Sequence, residues 1–380
     1  MKRLVVIDGK SVFYRGYYAM PNLSMRDGTP TGGGYGFAPL RLDVIKSLKP
    51  DSVAVAWDKP KTNIRRRKEI YPDYKAGRKP APPDFYAQVP ILHELLEAFG
   101  WPLYEFDDYE ADDIMGALSE DANKKGVETV LITSDLDMLQ LIDKDTHVYA
   151  LKKGFSQIEQ FNLKSFEEKY GLKQSQFLDL KSLQGDSSDN IPGVPGVGVK
   201  TATTLLQKYE TLDGIFENID EITGGVHDKL VAGKDSAYMS KEIARIWTDA
   251  PIKFDPSTTD IDKLDREKLR EMLEKLEFRS LLKNLPEGMQ GEKRENTSLK
   301  PAKIEPLSDQ GRTSIIMAEH VVIIPIEDKL ILSPDAENGY IVCVQEAPSL
   351  LKKSKIVAYD SKSILKTLLK ESSARPDVYQ

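Results

Sequence analysis

Leu4-Val5-Val6-Ile7-Asp8 decides how this chain must be read. Its unbroken apolar run leaves no polar face, so the strand it forms is buried on both sides, as strands of a parallel sheet are. The pattern returns twice. Ser52-Val53-Ala54-Val55-Ala56-Trp57 runs into Asp58, and Val130-Leu131-Ile132-Thr133 stops just short of Asp135. Helical periodicity fills the intervals, over Val89 to Phe99 and over Ala111 to Lys124. Strands alternating with helices predict an α/β domain with a central, parallel-rich sheet over residues 1–165. In such sheets the functional site lies beyond the carboxyl ends of the strands, and each run here closes on or near an aspartate.

Past residue 165 the pattern changes. Residues 166–285 read as helical, broken by the turn Ile191-Pro192-Gly193-Val194-Pro195-Gly196-Val197-Gly198-Val199 and resumed by a helix from Lys200 to Tyr209. Residues 286–306 are polar and proline-containing and read as a linker. Residues 307–380 return to strands, at Val321 to Ile324, Leu330 to Leu332, Tyr340 to Val342 and Ile356 to Tyr359, with a helix from Ser361 to Lys370. That length is short for an α/β domain, so a partial one is expected.

A chain of 380 residues allows two or three domains. The single cysteine, Cys343, excludes a disulfide framework and fits a reducing cytosol. The amino-terminal apolar run is too short for a signal peptide, and no stretch approaches the roughly 18 apolar residues of a membrane span. The net charge of −7 argues mildly against indiscriminate nucleic-acid binding, but it conceals a local contrast. Lys59, Lys61, Arg65, Arg66, Arg67, Lys68, Lys75, Arg78 and Lys79 crowd one segment; Glu105, Asp107, Asp108, Glu110, Asp112 and Asp113 crowd another. Such a pairing suits an anionic ligand together with bound cations.

Hydrolysing a phosphodiester needs an activated water and relief of the charge that grows on the leaving oxygen, and a pair of metal ions can supply both. Mg²⁺ takes oxygen ligands and keeps several waters, so each ion asks for only a few carboxylates. Asp8 and Asp58 follow strands. Glu110, Asp112 and Asp113 open a helix, where Glu110 and Asp113 share a face and Asp112 turns away unless the helix begins there. Asp135 and Asp137 follow the third strand, and Asp186 and Asp189 precede the glycine-rich turn. Taken singly, each is as well explained as a helix cap. Taken together, like charges brought this close require cations.

The turn offers a second chemistry. Gly193, Gly196 and Gly198 let backbone amides approach a phosphate, and the helix that follows, with Lys200 and Thr201, favours an anion at its start; an ordinary interhelical connection reads equally well. The basic segment carries Tyr71 and Tyr74, with Phe85 and Tyr86 beyond it, a mixture suited to a single strand, with cations on phosphates and rings on bases. A solvated loop is the plainer alternative. Gly9-Lys10-Ser11 lacks the earlier glycine of a P-loop, and the Gly32 to Gly36 run lacks the preceding strand of a dinucleotide site.

The strings VVIDG, DYEADDIMGAL, TSDLDMLQL, YKAGRKPAPPDF and LQGDSSDNIPGVPGVGVKTA resemble the 5′-nuclease domain of bacterial DNA polymerase I, a family that includes the flap endonucleases. The resemblance spans about residues 3–285. It implies a PIN-like nuclease fold with a helical arch at about 59–88, then a helix–three-turn–helix subdomain at 166–285. It also implies 5′→3′ exonuclease and 5′-flap endonuclease activity on DNA with 5′ ends, flaps or nicks, in Okazaki-fragment processing and repair. Two Mg²⁺ or Mn²⁺ ions would be held by Asp8, Asp58, Glu110, Asp112, Asp113, Asp135, Asp137, Asp186 and Asp189. Lys75 and Arg78 would meet the scissile phosphate. Arg15, Arg65, Tyr74, Gly193, Gly196, Gly198, Lys200 and Thr201 would bind DNA, with K⁺ at the turn. A monomer in a bacterial cytoplasm is implied as well, the chain being either a fragment of a longer one with a polymerase domain or a product that ends early. Leu136 stands where the family often has lysine.

Residues 307–380 resemble the start of a 3′→5′ exonuclease domain, with Val357-Ala358-Tyr359-Asp360 matching one of its motifs. The strand at Val321 leads into Pro325-Ile326-Glu327-Asp328 and not into the Asp-x-Glu that metal binding needs, so an inactive domain is expected. Two rival functions stay open: a non-catalytic DNA-binding module attached to a polymerase, and a ribonuclease of a related small fold.

Overall fold

The computed structural model describes residues 2–152, 157–283, 285, 303–326, 328–335, 337–358 and 364. The chain divides into two compact units, Met1–Gly291 and Glu292–Gln380. The first begins with β1 (Arg3–Asp8), α1 (Gly9–Ala19), α2 (Gly32–Leu48), β2 (Ser52–Ala56), α3 (Arg65–Ile70), α4 (Pro83–Ala87) and α5 (Val89–Phe99). It continues through β3 (Leu103–Tyr104), α6 (Ala111–Lys124), β4 (Glu128–Thr133), β5 (Thr146–Leu151) and β6 (Ile158–Phe161). The strands form a six-stranded sheet in the order β3-β2-β1-β4-β5-β6. All neighbours run parallel except β5 and β6. The winding reverses between β1 and β4, which opens a crevice beyond their carboxyl ends.

Alternation along the strands explains the two cores. Leu4 and Val6 of β1, with Leu131 of β4, face a core shared with α6. Val5 and Ile7, with Val130 and Ile132, face the opposite core, shared with α1, α2 and α5. Each fully buried Leu, Ile or Val contributes roughly 1.5–3 kcal/mol to this layering. The Gly32 to Gly34 run, to which sequence reasoning assigns no role, forms part of a seam between α1 and α2. A Cβ on Gly32 would lie 2.4 Å from the Met20 carbonyl oxygen, one on Gly33 would lie 2.5 Å from the Phe13 ring, and one on Gly16 would lie 2.9 Å from the Gly33 oxygen. The two helices cross backbone on backbone there.

Helices complete the unit: α7 (Leu163–Tyr170), α8 (Phe177–Gln184), α9 (Val199–Tyr209), α10 (Leu212–Glu217) and α11 (Gly225–Ala244), then α12 (Pro256–Thr259), α13 (Arg266–Lys275) and α14 (Arg279–Lys283). Gly185, Gly193 and Gly196 take positive φ in the turn between α8 and α9. At Gly193 the requirement is also steric, since a Cβ would meet the Gly185 nitrogen at 2.3 Å.

The second unit contains β7 (Lys303–Pro306), α15 (Asp309–Met317), β8 (His320–Ile326), β9 (Lys329–Ser333), β10 (Asn338–Cys343), α16 (Ala347–Leu350) and β11 (Lys355–Ala358). The sheet order is β11-β8-β9-β10-β7. β7 corrects the expected linker of 286–306, because that stretch ends in a strand. The strand is invisible to hydrophobic patterning because Ile304 is its only large apolar residue and it pairs on one side only, with β10. The rest of the linker, Glu327, the Tyr359-Asp360 pair and the helix expected at 361–370 lie outside the described residues, apart from Ile364.

Candidate metal centre

The crevice between β1 and β4 is floored by side chains that the strands and helix starts deliver. Asp8 ends β1 and caps α1: it accepts from the Ser11 amide at 3.0 Å and from the Thr133 hydroxyl at 2.7 Å. Asp58, two residues past β2, accepts from the Ala111 amide at 3.0 Å and from Lys10 Nζ at 3.1 Å. Asp135 caps the short 3-10 turn Leu136–Leu141 through the Asp137 amide, at 2.9 Å. Glu110 caps α6, and Asp112, on its first turn, lines the same cleft. Leu136 forms part of the cleft wall.

Asp113 does not join them. It is fully buried, and its two oxygens accept from Arg67 Nη1 at 2.7 Å, Arg67 Nη2 at 2.8 Å, the Trp247 amide at 2.8 Å and the Glu110 amide at 2.9 Å. Those donors saturate the carboxylate, so its expected place among metal ligands is corrected here. Because α6 begins at Ala111, Asp112 faces the cleft and Asp113 turns inward.

The arch closes over this floor. Tyr74 is buried and donates to Glu110 at 2.8 Å and to Asp189 at 3.4 Å. Lys75 pairs with Glu110 and lies 3.6 Å from Asp189, and Arg78 pairs with Asp189. The Lys75 backbone is left-handed, with φ 55°, and its amide donates to the Asp189 carbonyl at 2.9 Å; that contact helps hold a conformation residues with side chains rarely adopt. On the far side, Lys181 of α8 bridges Asp137 and Asp186, at 2.6 Å to each.

Electrostatics show a deficit of positive charge. Burial pushes Asp8 up to about 6, with Asp58 and Asp135 adding repulsion. Burial likewise raises Asp112 well above the usual carboxylate range, helped by Asp135, Asp8 and Glu110. Asp137 rises to about 6 through burial and Asp135, despite Lys181. The opposite holds where an ammonium is close. Burial would raise Asp58, but Lys10 and Lys75 overcome it and bring the group to about 2. Asp186 reaches about 2 in the same way through Lys181 and Ser188. An all-oxygen donor set with unmet negative charge fits a hard divalent cation. As the side chains stand, however, no three acidic residues among the described ones encircle a point that would hold a metal; Lys10, Lys75 and Lys181 are paired with carboxylates there.

The expected DNA contacts divide. Arg15 donates to the Leu151 and Lys152 carbonyls at 2.7 and 2.8 Å, and Arg65 is paired with Asp108 at 2.7 Å; both are engaged within the protein. The Gly193 amide donates to Ser240 Oγ at 3.0 Å, and the Gly196 carbonyl accepts from Lys229 Nζ at 3.0 Å. Gly198 precedes α9 with open space around it, Lys200 is exposed and Thr201 is half-buried. Sequence reasoning missed Lys10, Arg67 and Lys181 as site residues. Lys10 was legible, two residues after a strand-ending aspartate; Lys181 was not, since nothing local links it to Asp137.

Residues 3–171 match the family described as "5′-3′ exonuclease, N-terminal resolvase-like domain", and residues 172–289 match "5′-3′ exonuclease, C-terminal SAM fold". DNA polymerase I of Bacillus subtilis (strain 168) is 38% identical over 328 residues, which are 86% of this chain and 37% of that protein. DNA polymerase I of Caldicellulosiruptor bescii is 41% identical over 285 residues, 74% of this chain and 33% of that protein. The chain thus spans about a third of the length of these relatives. The bacteriophage T5 flap endonuclease, solved as a pseudo-enzyme–product complex with DNA and metal ions, superposes with a TM-score of 0.55 at 18% identity, covering 74% of this chain and 98% of that one. T5 5′-exonuclease with bound zinc gives 0.54 at 20% identity, covering 72% and 99%. These likenesses establish the shared fold.

Proposed function

The chain belongs to the 5′-3′ exonuclease family, and from that premise we propose that it is a divalent-metal nuclease acting on DNA 5′ ends and 5′ flaps. One observation carries the reading: buried carboxylates with unmet negative charge lie at the switch point of a parallel sheet, directly beneath the cationic side chains of the arch. Asp8, Asp58, Glu110, Asp112 and Asp135 would hold one part of a two-ion Mg²⁺ or Mn²⁺ site, and Asp137, Asp186 and Asp189 the other. The ions would supply an activated water and neutralise the charge on the leaving oxygen.

The chain's own residues do the rest. Lys75 and Arg78 exchange their carboxylate partners for the scissile phosphate and stabilise its developing charge. Lys10 steadies Asp58, and Thr133 and the Ser11 amide fix Asp8. Gly198, Lys200 and Thr201 present the start of α9 to a duplex backbone. A K⁺ ion at the turn would take backbone carbonyl oxygens there, of which that of Gly196 accepts from Lys229 Nζ. A polymerase domain in a longer chain, a cytoplasmic monomer, and work on Okazaki fragments and repair gaps belong to the same proposal. No helix among the described residues is long and apolar enough to cross a membrane.

The ammoniums among the carboxylates favour a rival, a DNA-holding module without catalysis. Incubating a 5′-labelled flap with the protein in Mg²⁺ and in EDTA separates the two. A short 5′ product that forms only with Mg²⁺ supports the nuclease; binding with no metal-dependent product overturns it.

A further inference from the structure

We propose that Arg67 is a positioning residue: from the base of the arch it seats the start of α6, and with it the Glu110 carboxylate, against the segment that follows α11. The inference rests on the nuclease reading of the cleft, where Glu110 sits.

Arg67 is 3% exposed, and every nitrogen of its guanidinium is engaged. Nη1 and Nη2 fork onto Asp113, and Nη1 is also 3.1 Å from Glu110 Oε2. Nε donates to the Ile243 carbonyl at 3.0 Å, and Nη2 to the Arg245 carbonyl at 2.9 Å. Three separate segments therefore meet on one planar cation: α3, the start of α6, and residues 243–247. The Asp113 carboxylate reinforces the joint, since it accepts the amides of both Glu110 and Trp247. The Trp247 ring lies 4.0 Å from the Arg67 guanidinium carbon and 4.1 Å from that of Arg66. Each guanidinium is attracted to the indole face, and for the buried Arg67 that contact helps fix the plane of the fork. Forked geometry fixes direction as well as distance, which an ammonium cannot do.

The consequence falls on Glu110. Its amide is held by Asp113, while its side chain receives Tyr74 and Lys75. Without Arg67 the buried Asp113 charge has no counter-ion. The helix start must then shift to reach water, and the carboxylate in the cleft shifts with it.

The test is a kinetic cycle on a 5′-flap substrate with wild type, Arg67→Met, Arg67→Lys, Glu110→Gln and the Arg67→Met/Glu110→Gln double variant. Arg67→Met is expected to lower kcat about 100-fold with KM little changed, the loss that an ångström-scale misplacement brings. Arg67→Lys should not restore it. In the double variant the two losses should fail to multiply, as for residues in one network. Losses that multiply fully, a raised KM with unchanged kcat, or wild-type kinetics would each overturn the proposal. If Arg67→Met does not fold, Arg67→Lys carries the same test, because it leaves the buried charge balanced. Amide exchange gives a second readout that needs no activity: Glu110 and Trp247 should lose protection together in either Arg67 variant. Unchanged exchange at either amide refutes the joint. A wild-type protein that cuts no flap would instead sink the nuclease reading, with the exchange result still standing.

Discussion

Three strands of the first sheet lead to aspartates, β1 ending on Asp8 and Asp58 and Asp135 lying just beyond β2 and β4, while the five of the second end on Pro306, Ile326, Ser333, Cys343 and Ala358. Both sheets are mixed, both carry helices, and both bury a continuous apolar layer. In the first, the strand ends lead into a cleft of carboxylates, where Lys10 meets Asp58 and Asp8 is buried without a lysine partner among the described residues. In the second, Val322, Ile324 and Ile326 of β8 and Val357 of β11 are exposed apolar residues. Architecture is shared, and the chemistry is decided by the one or two residues placed at the end of each strand.

The comparison breaks first at Asp112. Replacing it with alanine is expected to reduce flap cleavage by about 1000-fold or more, comparable with removing a main electrostatic stabiliser. The same change should raise the melting temperature in EDTA, because the folded protein disfavours the Asp112 charge. Mg²⁺ should raise the melting temperature of the wild type, as any ligand of the native state does. Its neighbour should behave in reverse. Asp113→Ala takes from the buried Arg67 its forked carboxylate partner and is expected to cost about 3–5 kcal/mol in urea unfolding. Lost activity at full stability would return Asp113 to the ligand set. Next in size, Lys75→Ala should lower kcat about 100-fold, on the scale of losing one group that stabilises developing charge. Gly33→Ala, on the α1–α2 seam, should lose about 1–3 kcal/mol through overpacking, measured by the denaturation midpoint. The smallest effect is expected from ending the chain after Gly291, which should leave flap cleavage unchanged. The second unit should likewise show no metal-dependent 3′→5′ degradation, and a 3′ product that disappears on truncation would erase the contrast between the two sheets.

Much of the first sheet was legible because its strands are pure apolar runs, and the helices at Val89–Phe99 and Ala111–Lys124 fall where periodicity places them. The candidate carboxylates were legible as residues at element ends. Their division was not. Spacing alone puts Glu110 and Asp113 on one face, but the inward turn of Asp113 is dictated by Arg67, 46 positions earlier, and by the Trp247 amide, 134 positions later. Lys181 is hidden for the same reason: its bridge from Asp186 to Asp137 is a tertiary contact. β7 escaped because an edge strand needs little apolar surface.

The glycine seam between α1 and α2 has a mechanical meaning. α1 carries Lys10, Ser11 and Tyr14 into the cleft at one end and rests Gly16 on the Gly33 backbone near the other. At Gly16 and Gly32 the crossing is backbone on backbone, and at Gly33 the Phe13 ring fills the space. The seam is a fulcrum for α1: an atom added at Gly33 would press on the Phe13 ring of the helix that carries Lys10 to Asp58. The contacts that seat α1 beneath the cleft are therefore the same ones that limit substitution along it.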